Sequence, residues 1–93
     1  MNPTPIKVLL VEDSPSDAEL IQEHLGQFEF EQFEITVAER LDEAVARVRQ
    51  EPFDVLLLDL SLPDSTGRET FLRMQQAAPQ VPLVVLTGVG GEM

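Results

Sequence analysis

Three carboxylates and one threonine stand where apolar runs end. Glu12 and Asp13 follow Ile6 to Val11, a run broken only by Lys7. Asp59 follows Val55 to Leu58, and Thr87 follows Val81 to Leu86. If the first and third runs are neighbouring strands, they lie about 4.8 Å apart and their terminal acids converge. Converging anions repel unless a cation neutralises them. Oxygen ligands select a hard divalent ion such as Mg²⁺, which takes a few carboxylates together with waters and a phosphate.

Each residue also has a plainer explanation. Glu12 and Asp13 would serve as acids at a helix amino terminus, where the dipole stabilises them. Asp59 would be a solvated strand end, although a carboxylate after four apolar residues is easily desolvated and then needs a partner. A threonine at a strand end is ordinarily structural. What outweighs these explanations is the occurrence of all four at strand ends.

The elements that must position them follow from periodicity. Ile6 to Val11 reads as a buried strand. Ser14 is a suitable N-cap, Pro15 suits the first helical position and Asp17 the first turn. Ala18, Ile21 and Leu25 follow at helical spacing, with Gly26 as a stop. Phe33, Ile35 and Val37 alternate with polar residues, as in a half-buried strand. Leu41, Ala44, Val45 and Val48 form one face of an amphipathic helix. Glu51-Pro52 closes it, because a residue before proline avoids helical geometry. Val55 to Leu58 reads as a central strand buried on both faces. Leu62 to Gly67 is rich in turn formers and reads as a loop. A third helix begins near Arg68 and stops near Pro79, and Val81 to Leu86 is the fourth strand. The order β-α-β-α-β-α-β predicts an α/β fold, a parallel sheet with helices on both faces.

Composition bounds the function. The chain has 93 residues, 43% of them hydrophobic, which suits one small globular domain. Seventeen acids against six bases give a net charge of -11. Such a chain repels phosphate backbones, so nucleic acid is not an expected partner. There is no cysteine, which excludes disulfides and thiolate metal sites. The opening MNPTPIK lacks the pattern of a secretory signal, and no run reaches the roughly 18–20 apolar residues needed to span a bilayer. No membrane partner and a cytoplasmic location are the expectations.

Together these segments resemble the receiver domain of two-component response regulators. Val8-Leu9-Leu10-Val11-Glu12-Asp13 is similar to the family's first strand with its acidic pair. Asp59-Leu60-Ser61-Leu62-Pro63-Asp64, followed by Gly67, is similar to the phosphoacceptor segment. Leu83-Val84-Val85-Leu86-Thr87-Gly88 resembles the strand that carries a Thr or Ser before a small residue. The resemblance runs from Ile6 to Gly88, in order, with each motif at a strand end. It implies a flavodoxin-like, CheY-like sheet in 2-1-3-4-5 order. It implies that Asp59 accepts a phosphoryl group from the phosphohistidine of a sensor histidine kinase, from a phosphotransfer protein or from a small phosphodonor. Glu12 and Asp13 would hold Mg²⁺ with Asp59 and the backbone carbonyl of Ser61. The Thr87 hydroxyl would hydrogen-bond a phosphoryl oxygen. These roles suit phosphoryl transfer, which needs in-line positioning and neutralised charge.

The chain departs from the family pattern after Thr87. Residues 1–93 would be a single receiver domain, C-terminally incomplete, that lacks the fourth helix, the fifth strand with its lysine and the fifth helix. The only lysine is Lys7, six residues before Asp13 and therefore about 20 Å away along the strand. Arg68 is the nearest alternative cation, but a guanidinium fork is a poor substitute for a compact ammonium. An uncovered fourth strand would be an apolar edge through which a homodimer could form. Two other functions compete with the phosphoacceptor, which is itself a signalling module and not an enzyme. One is a receiver-like interaction module that is not phosphorylated. The other is a Mg²⁺-dependent phosphatase or phosphotransferase with an aspartyl nucleophile. Ser61 stands where that chemistry would want a second acid.

Overall fold

The computed structural model describes residues 4–28 and 32–86. β1 (Ile6–Val11) begins the chain's regular structure, and α1 (Pro15–Leu25), β2 (Phe33–Ala38), α2 (Leu41–Gln50) and β3 (Val55–Asp59) follow. After them come β4 (Ser61–Leu62), β5 (Ser65–Thr66), α3 (Arg68–Ala77) and β6 (Leu83–Leu86). The main sheet is parallel, in the order β2-β1-β3-β6. The first crossover moves one way along the sheet and the next two move the other way. Because such crossovers are right-handed, α1 lies on the opposite face from α2 and α3.

Local chemistry accounts for the boundaries. Ser14, in extended geometry, caps α1 by accepting the Asp17 N–H at 3.4 Å, and Pro15 takes the first helical position. Gly26 ends the helix in right-handed geometry, so its role there is not to supply a positive φ. Glu51 is extended before Pro52 and closes α2.

The core lies between the sheet and the α2/α3 layer. Leu9, Val11, Leu56 and Leu58 pack there with Leu41, Ala44 and Met74. On the other face Val8 and Leu10 are buried as well, and α1 contributes buried Ala18. Thus β1, not β3, is the strand sealed on both sides. Val55 and Leu57 of β3 are only partly buried, because no described helix covers that part of the sheet. Among the described residues β6 is an edge strand, as β2 is on the other side, and its Val84 is exposed. It is also shorter than expected, Leu83–Leu86, although the Pro82 carbonyl before it accepts the Leu56 N–H at 2.9 Å and extends the pairing with β3 by one bond.

The segment expected to be an irregular loop is a small antiparallel hairpin. Ser61 pairs with Thr66 and Leu62 with Ser65, with Pro63-Asp64 at the turn. Each strand holds two residues, too few for an alternating pattern to register in the sequence. The hairpin is closed by the Gly67 N–H, which donates to the Leu60 carbonyl at 2.7 Å. The Ser65 and Thr70 hydroxyls hydrogen-bond at 2.7 Å and satisfy the buried Thr70. Gly67 has φ 67° and ψ -143°, a region almost restricted to glycine. Gly67→Ala is expected to destabilise the fold by about 1–3 kcal/mol, read as a lower denaturation midpoint. An unchanged midpoint would show that the turn relaxes without cost.

Candidate functional site

The site forms at the carboxyl ends of β1 and β3, where parallel α/β sheets bind ligands. Register places it there. Val11 is opposite Leu58, so the next residues, Glu12 and Asp59, are neighbours across the two strands. Glu12 is anchored from the other side by its N–H, which donates to Ala38 at the end of β2 at 2.9 Å. Carboxylate oxygens of Glu12, Asp13 and Asp59 lie within 4.8 Å of one another. The sequence anticipates this cluster, and the structure brings all three acids together.

The three environments differ. Asp13 is exposed and Asp59 is partly exposed, whereas Glu12 is only 3% exposed. Burial is the main cause that pushes the Glu12 carboxyl up to about 7, and the adjacent Asp59 adds to it. The Ser14 N–H, which donates to Glu12 Oε2 at 3.3 Å, acts in the opposite direction. Two unit charges about 4.8 Å apart repel by about 3 kcal/mol at an effective dielectric of about 20. A helix dipole returns only about 0.3–1 kcal/mol per acid. Helix capping therefore does not account for the cluster. A proton on Glu12 relieves it, and so would a hard cation, for which an all-oxygen donor set is suited.

Ser61 lies beside Asp59. Its backbone N–H donates to Asp59 Oδ1 at 3.0 Å and fixes the carboxylate's orientation. Thr87 lies outside the described residues, although Leu86, which precedes it, is the register partner of Asp59. Lys7 is at the far end of β1, as its position in the sequence requires. There it pairs with Glu51 at 3.4 Å and Glu34 at 4.0 Å, and its N–H donates to Asp54 at 2.8 Å. Arg68 is exposed at the start of α3.

Asp64 is the residue that the sequence reading reduced to a turn former. Its carboxylate accepts the Leu41 N–H at 2.8 Å and the Asp42 N–H at 3.0 Å, capping α2 from more than twenty residues away. The Arg40 guanidinium approaches it at 3.8 Å. Desolvation pushes the Asp64 carboxyl up, but these hydrogen bonds and Arg40 outweigh it and hold the group below its ordinary range. One sequence signal pointed to this. α2 starts after Arg40, which offers no capping side chain, so its first N–H groups need an acceptor from elsewhere.

Comparison with known proteins agrees with the geometry. A family model for the response regulator receiver domain matches residues 8–93. The chain is 34% identical over 84 residues to the response regulator protein PilR of Pseudomonas aeruginosa, which covers 90% of this chain and 18% of PilR. It is 36% identical over 84 residues to the transcriptional regulatory protein TrcR of Mycobacterium tuberculosis, covering 90% of this chain and 32% of TrcR. The chain thus spans a third or less of these two relatives. Among solved structures, the phosphorylated cyanobacterial phytochrome response regulator RcpA matches with a TM-score of 0.76 and 33% identity, over 92% of this chain and 68% of RcpA. The Mn²⁺-bound response regulator Rcp1 matches with a TM-score of 0.76 and 32% identity, over 95% of this chain and 69% of Rcp1.

The raised Glu12 carboxyl has a consequence for stability. A group whose folded-state pKa exceeds its ordinary value stabilises the fold fully below that ordinary value, and the contribution is lost as pH rises through the folded value. For Glu12 the window runs from 4.5 to about 7. The metal-free protein should lose stability across that window, and Glu12→Gln, neutral throughout, should flatten the slope. Thermal melts at a series of pH values check this. An equal slope in both forms would place the titration elsewhere.

Proposed function

Since the chain belongs to the response regulator receiver family, we propose that Asp59 accepts a phosphoryl group from a sensor histidine kinase or a phosphotransfer protein. The observation that carries this reading is the convergence of Glu12, Asp13 and Asp59 within 4.8 Å at the carboxyl edge of the sheet. In the step itself, an Asp59 oxygen bonds to phosphorus as the phosphorus–nitrogen bond to the donor imidazole breaks. The departing nitrogen keeps the bonding pair. Asp59 begins the step held by the Ser61 N–H, which limits its rotation and favours in-line attack.

Glu12 and Asp13, with Asp59 and the Ser61 carbonyl, would hold Mg²⁺. When bound, the ion neutralises charge on the phosphoryl oxygens and on the acids around them. The fit rests on the donor set, three carboxylates that need a counter-charge. It is supported by relatives that resemble this chain closely, one solved in a phosphorylated form and one with Mn²⁺ bound. The Thr87 hydroxyl would donate to a phosphoryl oxygen. This reading has the chain act in the cytoplasm as a signalling module. The added negative charge would bias the loops around the site.

Incubation with Mg²⁺ and acetyl phosphate, followed by intact mass measurement, tests the assignment. The wild type should gain the mass of one phosphoryl group, and Asp59→Asn should gain none. A gain in both would remove Asp59 from the role. No gain in the wild type, from acetyl phosphate or from a phosphorylated kinase, would favour an interaction module without phosphorylation.

A homodimer through the β6 edge is a separate proposal, supported by the exposed Val84 and the apolar strand around it. Sedimentation at micromolar concentration should give a dimer's mass, and a monomer with a cooperative melt would exclude it.

A further inference from the structure

The hairpin after Asp59 is held at three points. At its base, the Gly67 N–H donates to Leu60 and the Ser61 N–H to Asp59. In its middle, Leu62 is buried in the core. At its tip, Asp64 takes two N–H groups of α2 and faces Arg40. The tip contacts are the hairpin's polar connection to α2 among the described residues. They join a segment of four short-strand residues, too small to hold itself in place, to the first turn of a helix packed on the core.

The distance in sequence matters. A side-chain cap at position 40, where the backbone is extended as N-caps require, would take the Asp42 or Glu43 N–H but not that of Leu41, which Asp64 takes as well. The chain instead has Arg there, with Glu43 already reaching back to the Glu39 N–H at 3.1 Å. The acceptor is supplied by the hairpin that begins two residues after Asp59. Only Pro63 and Leu62 separate Asp64 from Ser61, whose N–H orients the Asp59 carboxylate.

We propose that Asp64 is a positioning residue for phosphoryl transfer, and that its bond to the α2 amino terminus holds Ser61, and through it Asp59, in the reactive arrangement. The inference rests on the assignment of Asp59 as phosphoacceptor. Asp64 touches neither the phosphoryl group nor the metal site, and acts only through the hairpin.

The test separates tethering from simple helix capping. Asp64→Ala removes both functions. Adding Arg40→Ser creates a Ser-x-x-Glu capping box with Glu43, which restores a cap to α2 without restoring the tether. The full-length protein is compared as wild type, Asp64→Ala, Arg40→Ser and the double variant, with Asp59→Asn as control. The readouts are melting temperature, phosphorylation rate at saturating acetyl phosphate and Mg²⁺, and amide hydrogen exchange at Ser61 and Gly67. Asp64→Ala should lower the melting temperature, slow phosphorylation about tenfold and speed exchange at both amides. The double variant should regain melting temperature but neither the rate nor the protection. Recovery of all three would reduce Asp64 to a cap and overturn the proposal, as would an unchanged rate and exchange in Asp64→Ala. If the alanine variant is unfolded, Asp64→Asn, which keeps one acceptor oxygen and loses the charge, takes its place with a smaller effect expected. Phosphorylation that persists in Asp59→Asn would refute the assignment of Asp59, and the exchange data would still decide whether the tether exists.

Discussion

Val11 lies opposite Leu58, and one residue further along each strand is a carboxylate. That register creates a repulsion which the surrounding structure has to relieve. The Ser14 N–H takes one oxygen of Glu12 and the Ser61 N–H takes one of Asp59. The hairpin that supplies Ser61 is in turn fixed by Gly67, Thr70 and Asp64. Hydrogen bonds can orient the acids, but they cannot remove a net negative charge from a partly buried site. The proton, metal or phosphoryl chemistry proposed for this edge would therefore depend on the pairing of β1 with β3 and not on any single residue.

The two ends of the sheet are electrostatically different. Lys7, the chain's only lysine, sits at the amino end, its ammonium paired with Glu34 and Glu51 and 5.8 Å from the centre of the Phe53 ring, its backbone N–H bonded to Asp54. It ties β1 to the turn that leads into β3. At the opposite end the acids gather with no ammonium among the described residues. The ion-paired lysine and the acidic cluster thus stand at opposite ends of the same sheet.

Much of this was legible in the sequence, because the signals were local and periodic. β1, α2 and β3 were apparent from runs and spacing, and Ser14-Pro15 marked the start of α1. The convergence of Glu12, Asp13 and Asp59 needed only the adjacency of two strands. What was not legible depended on distance or on cover. The Asp64 bonds to Leu41 and Asp42 link residues more than twenty apart, and the clue lay in what Arg40 could not supply. The β4–β5 hairpin was too short to carry a pattern. The one-sided burial of β3 reflects which helices lie over it, which its own run of Val and Leu cannot report. Thr87 was identified by its type and its place after an apolar run, and its geometry lies outside the described residues.

Gly67 brings a constraint of another kind. An added Cβ would meet nothing within 4 Å, so the position excludes other residues without being crowded. The obstacle is handedness. With φ 67° and ψ -143°, the backbone here is the mirror image of the polyproline II conformation that l-residues adopt with ease. A d-amino acid would occupy it without strain, and would lose less freedom on folding than glycine does. The turn that carries the chain from the hairpin into α3 is thus a site of inverted chirality, which a ribosomally made protein can approach only by omitting the side chain.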